Sequence, residues 1–356
     1  MIVVGSVNMR MYYKCFAFLV ILLLIALGIS MFFDADVHYE KSAVLLHTTV
    51  SLKAEGANAE VAVNESIKHI QYLETILDDC LLGDLASLNN AAPGEYVFVH
   101  PDLWHLLAVA DKYARLTDGS FSSAIGSLVD LWGIGTENAK VPDENEIANA
   151  CALADYRHVH LRASDHSVML DQMGVKIHLG GASKGFAADE VRRIFVRNGV
   201  RNGLINLGTS SMYAIGKNSS GKAWQIGIKN PRQPTGYFAI VELSDAALST
   251  SAADGQYFDM GGRRYGHIFN PLNGMPVDNN LMSVTVIVEG SEDNCALTAD
   301  ILSTALFVMG EKKGVELISS LPSAISAIIV DKNGRITTVH GAEKRLKIVD
   351  EKFTLK

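Results

Sequence analysis

The chain has 356 residues and a formal charge of −8 at neutral pH, with histidine counted as neutral. Hydrophobic residues make up 48% of it and charged residues 20%, which excludes a disordered, highly charged protein. The acidic balance also argues against a general nucleic-acid-binding protein, because such proteins need a basic face for the phosphates.

The first element along the chain is an apolar segment, residues 15–33, that carries no charged side chain. It is long enough to cross a hydrocarbon layer of roughly 30 Å as a helix. Arg10 and Lys14 precede it and acidic residues follow, so the positive-inside rule predicts a cytoplasmic N-terminus, 1–14, and an extracytoplasmic remainder held at the cell membrane. A cleaved signal peptide, with its cleavage site at 26–28, is the alternative, and the remainder would then be secreted.

The remainder is long enough for one large domain or two closely packed ones, and we place one domain at 40–345. Its stability has to come from packing, since the cysteines of the chain lie far apart and exclude a disulfide framework. The same spacing excludes a cysteine-based zinc or iron–sulfur site. The cysteines are Cys15, Cys80, Cys151 and Cys295.

Helices and strands interleave along this domain without a regular βαβ alternation. The predicted helices cover 58–80, 101–116, 141–153, 183–198, 294–309 and a segment after Gly310. The predicted strands cover 42–54, 95–99, 157–162, 166–171, 175–179, 203–207, 212–216, 224–229, 237–243, 264–269, 281–289, 325–330 and 335–339. This order predicts an α+β fold and disfavours a doubly wound parallel sheet.

A glycine turn with a lysine lies between a predicted strand and the helix at 183–198, in the sequence IHLGGASKG at 177–185. Paired glycines let a backbone approach a ligand closely, and the N–H groups at a helix start attract phosphate. The spacing matches neither a P-loop nor a dinucleotide fingerprint. A tight turn with a surface lysine is the alternative interpretation.

Asp300 and Thr304 stand one turn apart on a predicted helix that is apolar almost all round. A carboxylate in such a helix is costly unless it is paired, hydrogen-bonded or bound to a metal. Carboxylate, hydroxyl and carbonyl oxygens are the ligands that Mg²⁺ or Ca²⁺ prefers. The alternative is an aspartate that caps a neighbouring loop, with Thr304 bonded to its own helix.

His267 lies on a predicted strand, 264–269, that runs into a turn rich in Pro and Gly. An imidazole at a strand end beside a loop can accept or donate a proton near neutral pH. A single histidine is also a common structural residue, so the position alone leaves both interpretations open.

Taken in order, these segments resemble the ApbE flavin transferases, from about residue 42 to 340. The similar blocks share the order and residue types of the family's motifs; they are TDGSF (117–121) with LVDLWGIG (128–135), IHLGGASKGFAAD (177–189), GLINLG (203–208) with AWQIGIKNPR (223–232), LSTSAADGQYF (248–258), HIFNPLNGMPV (267–277) and LTADILSTALFVMG (297–310).

The resemblance implies a fold of mixed sheets with packed helices. It also implies an Mg²⁺-dependent reaction that transfers the FMN half of FAD to a threonine or serine hydroxyl of a redox protein and releases AMP. By position, Asp300, Thr304 and a carbonyl near Gly181 would bind Mg²⁺, and His267 would be the general base. The residues implied to contact FAD are Leu46, Ser120, Phe121, Ser122, His178, Gly180, Lys184 and Ile268. The partner would be a target in an extracytoplasmic or membrane redox complex, and no nucleic acid.

Several positions depart from the family pattern, mostly on the flavin side. His178 and Ser122 replace aspartates, and Thr209 and Ala252 replace glycines. Two other functions therefore stay open beside transfer: hydrolysis of FAD to FMN and AMP, and flavin binding without catalysis.

Overall fold

The structure is a computed structural model that describes residues 20, 37–79, 83–208, 210–233, 235–253 and 255–356. The predicted transmembrane segment, 15–33, lies outside the described residues except for residue 20, and so does Thr209. Among the helices that are described, none combines the length and apolarity needed to span a membrane.

The described elements confirm an α+β fold. The helices are α1 (Ala59–Leu77), α2 (Asp84–Asn89), α3 (Pro101–Leu116), α4 (Gly126–Trp132), α5 (Glu144–Leu153), α6 (Ser183–Arg197), α7 (Cys295–Met309) and α8 (Glu311–Ser320). The strands are β1 (His38–Leu45), β2 (Thr48–Glu55), β3 (Tyr96–Phe98), β4 (Val159–Arg162), β5 (Ser167–Leu170), β6 (Asn202–Leu207), β7 (Ser211–Ile215), β8 (Trp224–Lys229), β9 (Tyr237–Leu243), β10 (Ala246–Ala252), β11 (Tyr257–Met260), β12 (Arg263–Gly266), β13 (Phe269–Asn270), β14 (Met275–Pro276), β15 (Leu281–Glu289), β16 (Ile325–Asp331), β17 (Arg335–Val339), β18 (Leu346–Ile348) and β19 (Thr354–Leu355).

Nine of the described strands form the main sheet, in the order β1-β2-β6-β7-β10-β15-β16-β17-β19. Adjacent strands of this sheet are antiparallel, except for β17 and β19, which are parallel. All residues of the inner strand β15 except the last are buried, which accounts for its mostly apolar sequence. The main sheet therefore has a layer of structure on each face.

Helices α1, α6 and α7 cover one face of the main sheet, with α7 against β10 and β15 and α6 against both α1 and α7. On the opposite face, β8, β9 and β18 form a smaller sheet. Apolar side chains of that sheet, such as Phe238, form a second core with Ile287 and Ile328 of the main sheet. The helical layer is the one that brings the glycine turn, at the start of α6, against the helix that carries Asp300.

Three predicted strands differ from the structure. The segment 264–269 breaks at His267 and Ile268, between β12 and β13, which belong to different sheets. The segment 42–54, which its alternation predicts as one strand, is instead the hairpin of β1 and β2, which turns at Leu46 and His47. Both residues have positive φ angles, 51° and 55°, as a two-residue hairpin turn requires. The segment 175–179 makes only an isolated bridge, from Lys176 to Ile125, and the backbone N–H and carbonyl of Ile177 bond to the side chain of Asn89 instead of to a strand.

The turn at His47 leads to a prediction about stability. A non-glycine residue whose backbone adopts the left-handed conformation destabilises the folded chain by roughly 1–2 kcal/mol. Glycine avoids this strain but makes the unfolded chain more flexible, which offsets part of the gain. We expect His47→Gly to raise the free energy of unfolding by about 0.5–1 kcal/mol, measured by urea denaturation. The same exchange at His38, in the extended backbone of β1, should lower that free energy, and an equal effect at both positions would refute this account.

Candidate active site

Asp300 lies on α7 with its side chain buried and hydrogen-bonded on both oxygens. Oδ2 accepts from the backbone N–H of Gly185, over 2.9 Å. Oδ1 accepts from the hydroxyls of Ser249, over 2.7 Å, and Ser211, over 3.0 Å. The carboxylate is therefore held by three donors from three different elements, which offsets the cost of its burial.

Gly185 is required for this contact because α6 and α7 approach closely there. A Cβ atom at Gly185 would lie 2.4 Å from the carbonyl oxygen of Ala296 and 2.7 Å from the Cβ of Asp300. Any side chain at this position would push the two helices apart and break the bond between Gly185 and Asp300.

A second contact fastens the same two helices at the start of α7. Asn294, which precedes α7, makes no capping bond with its side chain, and Asp189 of α6 takes that role. Its carboxylate accepts from the backbone N–H groups of Ala296, over 3.0 Å, and Leu297, over 2.8 Å. Burial raises the pKa of Asp189 to about 7, against the lowering effect of these two bonds. Asp189 ends the 177–189 motif, but its sequence position alone does not indicate this role.

Thr304 and Gly181 complete the group that the sequence predicts as a metal site. The hydroxyl of Thr304 lies 3.1 Å from Ser251 Oγ and 3.3 Å from the carbonyl oxygen of Asp300. A Cβ atom at Gly181 would lie 3.2 Å from Thr304 Oγ1, so the glycine turn packs directly against this side chain. The structure therefore brings all three predicted metal residues together.

These residues fit a hard divalent cation. Within the described part of the chain, no three His, Cys, Asp or Glu side chains come together as a metal site. A cation here would rest on one carboxylate and on neutral hydroxyl and carbonyl oxygens, a set that Mg²⁺ accepts when phosphates and waters complete its shell. Three of the roughly four acceptor positions of Asp300 are filled, and the remaining one is on Oδ2.

The glycine turn carries Lys184 and His178 beside this group. Lys184 Nζ donates to the carbonyl oxygen of Gly180 over 3.1 Å, and the Gly180 N–H donates to His178 Nδ1 over 3.3 Å. Helix α6 begins here, so the positive charge of Lys184 lies at a helix start, where the N–H groups of Ser183 and Gly185 already donate to Leu179 and Asp300. This is an arrangement that binds phosphate.

Burial lowers the pKa of His178, and the charge of Lys184 lowers it further, against the opposing effect of Asp79 and Asp130. As the pH falls below the ordinary histidine value of about 6.5, the unfolded chain takes up a proton before the folded chain does. The free energy of unfolding therefore falls with pH in this range. We expect wild type to lose more stability than His178→Gln between pH 7.5 and pH 5.5, measured by urea denaturation; equal losses would contradict the lowered pKa.

His267 lies just after β12 and is exposed. Its backbone N–H donates to the carbonyl oxygen of Gln256 over 3.0 Å, and its ring Nδ1 lies 3.1 Å from the same oxygen. Because a carbonyl only accepts, Nδ1 carries the proton in this contact, and Nε2 is the nitrogen that can accept one. A Cβ atom at Gly255 would lie 2.3 Å from the ring carbon Cε1, so the lack of a side chain there sets the position of the imidazole.

The other residues implied to contact flavin lie on three segments. Phe121 is buried and approaches the glycine turn, with Cε2 3.4 Å from a Cβ atom built on Gly181. Ser120 is buried beside it, and Ser122 uses its hydroxyl within the chain, donating to the carbonyl oxygen of Ala154 over 2.7 Å. Leu46 and Ile268 are half-buried against the main core.

A cavity borders two of these segments. It has a volume of about 650 Å³ and lies between the turn at 118–119 and the loop at 271–273. The first precedes Ser120 and the second follows Ile268, while Asp300, Thr304 and His267 do not line it. The cavity therefore adjoins the predicted flavin contacts and is separate from the predicted metal residues.

The sequence around this site matches a known family. The family model described as "ApbE family" covers residues 46–329, most of the chain. The chain belongs to the ApbE family. The FAD:protein FMN transferase of Treponema pallidum (strain Nichols) is 31% identical over 332 residues, which covers 87% of this chain and 88% of that protein. The FAD:protein FMN transferase of Klebsiella pneumoniae (strain 342) is 33% identical over 298 residues, 83% of this chain and 90% of that protein.

The fold agrees with ApbE structures as well. The crystal structure of the ApbE protein from Thermotoga maritima matches with a TM-score of 0.79 and 29% sequence identity, over 87% of this chain and 99% of that one. The mixed α+β fold and the family resemblance of the motifs are thereby confirmed.

The sequence does not single out several residues of this ApbE site, although three of them lie in the block 248–258. Ser211, Ser249 and Ser251 bind the side chains of Asp300 and Thr304, yet single serines in strands are unremarkable. Gly255 lies outside the glycines of the family pattern. Only the topology, which places β7 and β10 against α7, identifies them.

Proposed function

We propose that this ApbE protein transfers the FMN part of FAD to a threonine or serine hydroxyl of a target protein, with Mg²⁺, and releases AMP. The observation that carries the proposal is that Thr304 packs against Gly181 while Asp300 bonds to Gly185, so both side chains meet the start of α6 beside Lys184. A phosphate-binding turn and a hard-cation site meet there, as phosphoryl transfer requires.

Each residue has a definite part in this reaction. Lys184, at the start of α6, binds the pyrophosphate oxygens of FAD. Asp300, Thr304 and the carbonyl of Gly181 would hold Mg²⁺, which neutralises charge on those oxygens when it is bound. The target oxygen bonds to the phosphorus of the FMN phosphate, the bond from that phosphorus to the oxygen of AMP breaks, and the hydroxyl proton passes to Nε2 of His267.

The location of the target follows from the N-terminal segment. We infer that residues 15–33 anchor the chain in the cell membrane, with 1–14 in the cytoplasm and the flavin transferase domain outside. The target would then be part of an extracytoplasmic or membrane redox complex. Protease added to intact cells should digest the domain from outside, and complete protection of the domain would contradict this orientation.

Measurement of AMP and FMN separates transfer from its alternatives. The full chain is incubated with FAD and Mg²⁺, with and without a threonine-bearing target. Transfer predicts AMP that appears with the target and little free FMN. Equal AMP and free FMN without a target would indicate FAD hydrolysis, and FAD that stays bound and intact would indicate a binding protein without catalysis.

A further inference from the structure

Two serines on β10 match the spacing of the predicted metal residues on α7. Ser249 and Ser251 are separated by about 7 Å along a strand, and Asp300 and Thr304 by about 6 Å along a helix. Ser249 Oγ donates to Asp300 Oδ1 over 2.7 Å, and Ser251 Oγ lies 3.1 Å from Thr304 Oγ1. One strand therefore contacts both side chains of the predicted metal site.

The neighbouring strand adds a second donor to Asp300. Ser211 of β7 is opposite Ser249 in the register of the main sheet, and their hydroxyls lie 3.2 Å apart. Both hydroxyls also lie within hydrogen-bonding distance of Asp300 Oδ1. The two serines are 0% and 1% exposed, so they lie behind the carboxylate and act on a ligand only through it.

The two hydroxyls leave the carboxylate with one defined direction for a further bond. Oδ1 accepts both of them, while among the described residues only the N–H of Gly185 donates to Oδ2. Without these donors, the carboxylate could turn about its Cβ–Cγ bond, and the direction of the remaining lone pair on Oδ2 would no longer be fixed.

We propose that Ser211 and Ser249 are positioning residues for Mg²⁺: they occupy Oδ1 of Asp300 and so present Oδ2 to the cation. This inference rests on the proposed function, in which Asp300 binds Mg²⁺. Groups that orient a metal ligand typically contribute roughly 10–100-fold to metal affinity. Ser249 makes the shorter bond, so its loss has the larger effect.

The test is a calorimetric titration of the full chain with Mg²⁺ alone. We expect Ser249→Ala to weaken binding about 10-fold and the double variant with Ser211→Ala about 100-fold. Ser326→Ala is the matched control, because Ser326 is equally buried in β16 and its hydroxyl has no partner among the described residues. Its affinity for Mg²⁺ should equal that of wild type.

A second readout distinguishes positioning from a general loss of structure. The Mg²⁺ concentration that gives half-maximal FAD turnover should rise in Ser249→Ala, while saturating Mg²⁺ restores the wild-type rate. Melting temperatures without metal show whether each variant is folded. If Ser249→Ala does not fold, the same measurements are made on Ser211→Ala. If folded Ser249→Ala and Ser211→Ala both bind Mg²⁺ with wild-type affinity, this inference is wrong and the proposed function is unaffected. If the wild-type chain binds no Mg²⁺ and turns over FAD without it, the proposed metal role itself is wrong.

Discussion

Asp300→Asn is expected to lower the rate of FAD turnover at least about 100-fold, the upper end of what disturbing a metal ligand costs. The amide removes the one carboxylate of the predicted metal site, and its NH₂ group would face the N–H of Gly185, where Oδ2 now accepts a hydrogen bond. The rate of AMP release at saturating FAD and Mg²⁺ measures the loss.

Asp331→Asn is the matched control for this variant. Asp331 is also buried and also accepts three bonds, from the N–H of Asn333 and from the N–H and Nε of Arg335. Each exchange should lower the free energy of unfolding by about 1–3 kcal/mol, since a buried bond is lost. Only Asp300→Asn should lose turnover and Mg²⁺ binding; equal losses of turnover in both variants would show that Asp300 acts through stability alone.

His267→Gln is expected to lower the rate of flavin transfer about 10²–10⁴-fold, the usual contribution of a general base. The side chain is exposed, so the melting temperature should change little. FAD and Mg²⁺ should bind as in wild type, because the predicted metal residues lie on other elements. Single-turnover transfer to the target measures the rate.

Two further variants define the role of His267. Gly255→Ala should lower the rate by up to about 100-fold, because a methyl group there displaces the imidazole and a shift of 1 Å can cost that much. His160→Gln should have no effect, because His160 is a half-buried histidine on β4 that pairs with Asp171. If His267→Gln transfers flavin at the wild-type rate, His267 is not the general base.

The sequence allows much of the fold and the centre of the site to be predicted. Helix α7 is apolar on almost every side, so a carboxylate within it had to be satisfied by specific partners. Asp300 and Thr304 share a face at that spacing, and the glycine turn precedes a helix with clear periodicity. These are local patterns, and the structure brings the residues together as predicted.

The features that escape prediction depend on contacts between distant segments. The turn at Leu46 and His47 lacks the residues that mark hairpins, so the alternation of β1 and β2 continues across it. Ser211 and Ser249 are 38 residues apart and reach Asp300 only because β7 and β10 are neighbours under α7. Gly255 matters because the ladder of β11 and β12 places it beside His267.

The mass of a target protein after incubation with this chain, FAD and Mg²⁺ tests the central claim most directly. Flavin transfer predicts a target heavier by one FMN less one water, with the added mass on a threonine or serine and one AMP released for each target modified. An unmodified target, with FAD consumed to AMP and free FMN or left intact, would contradict the proposed transfer.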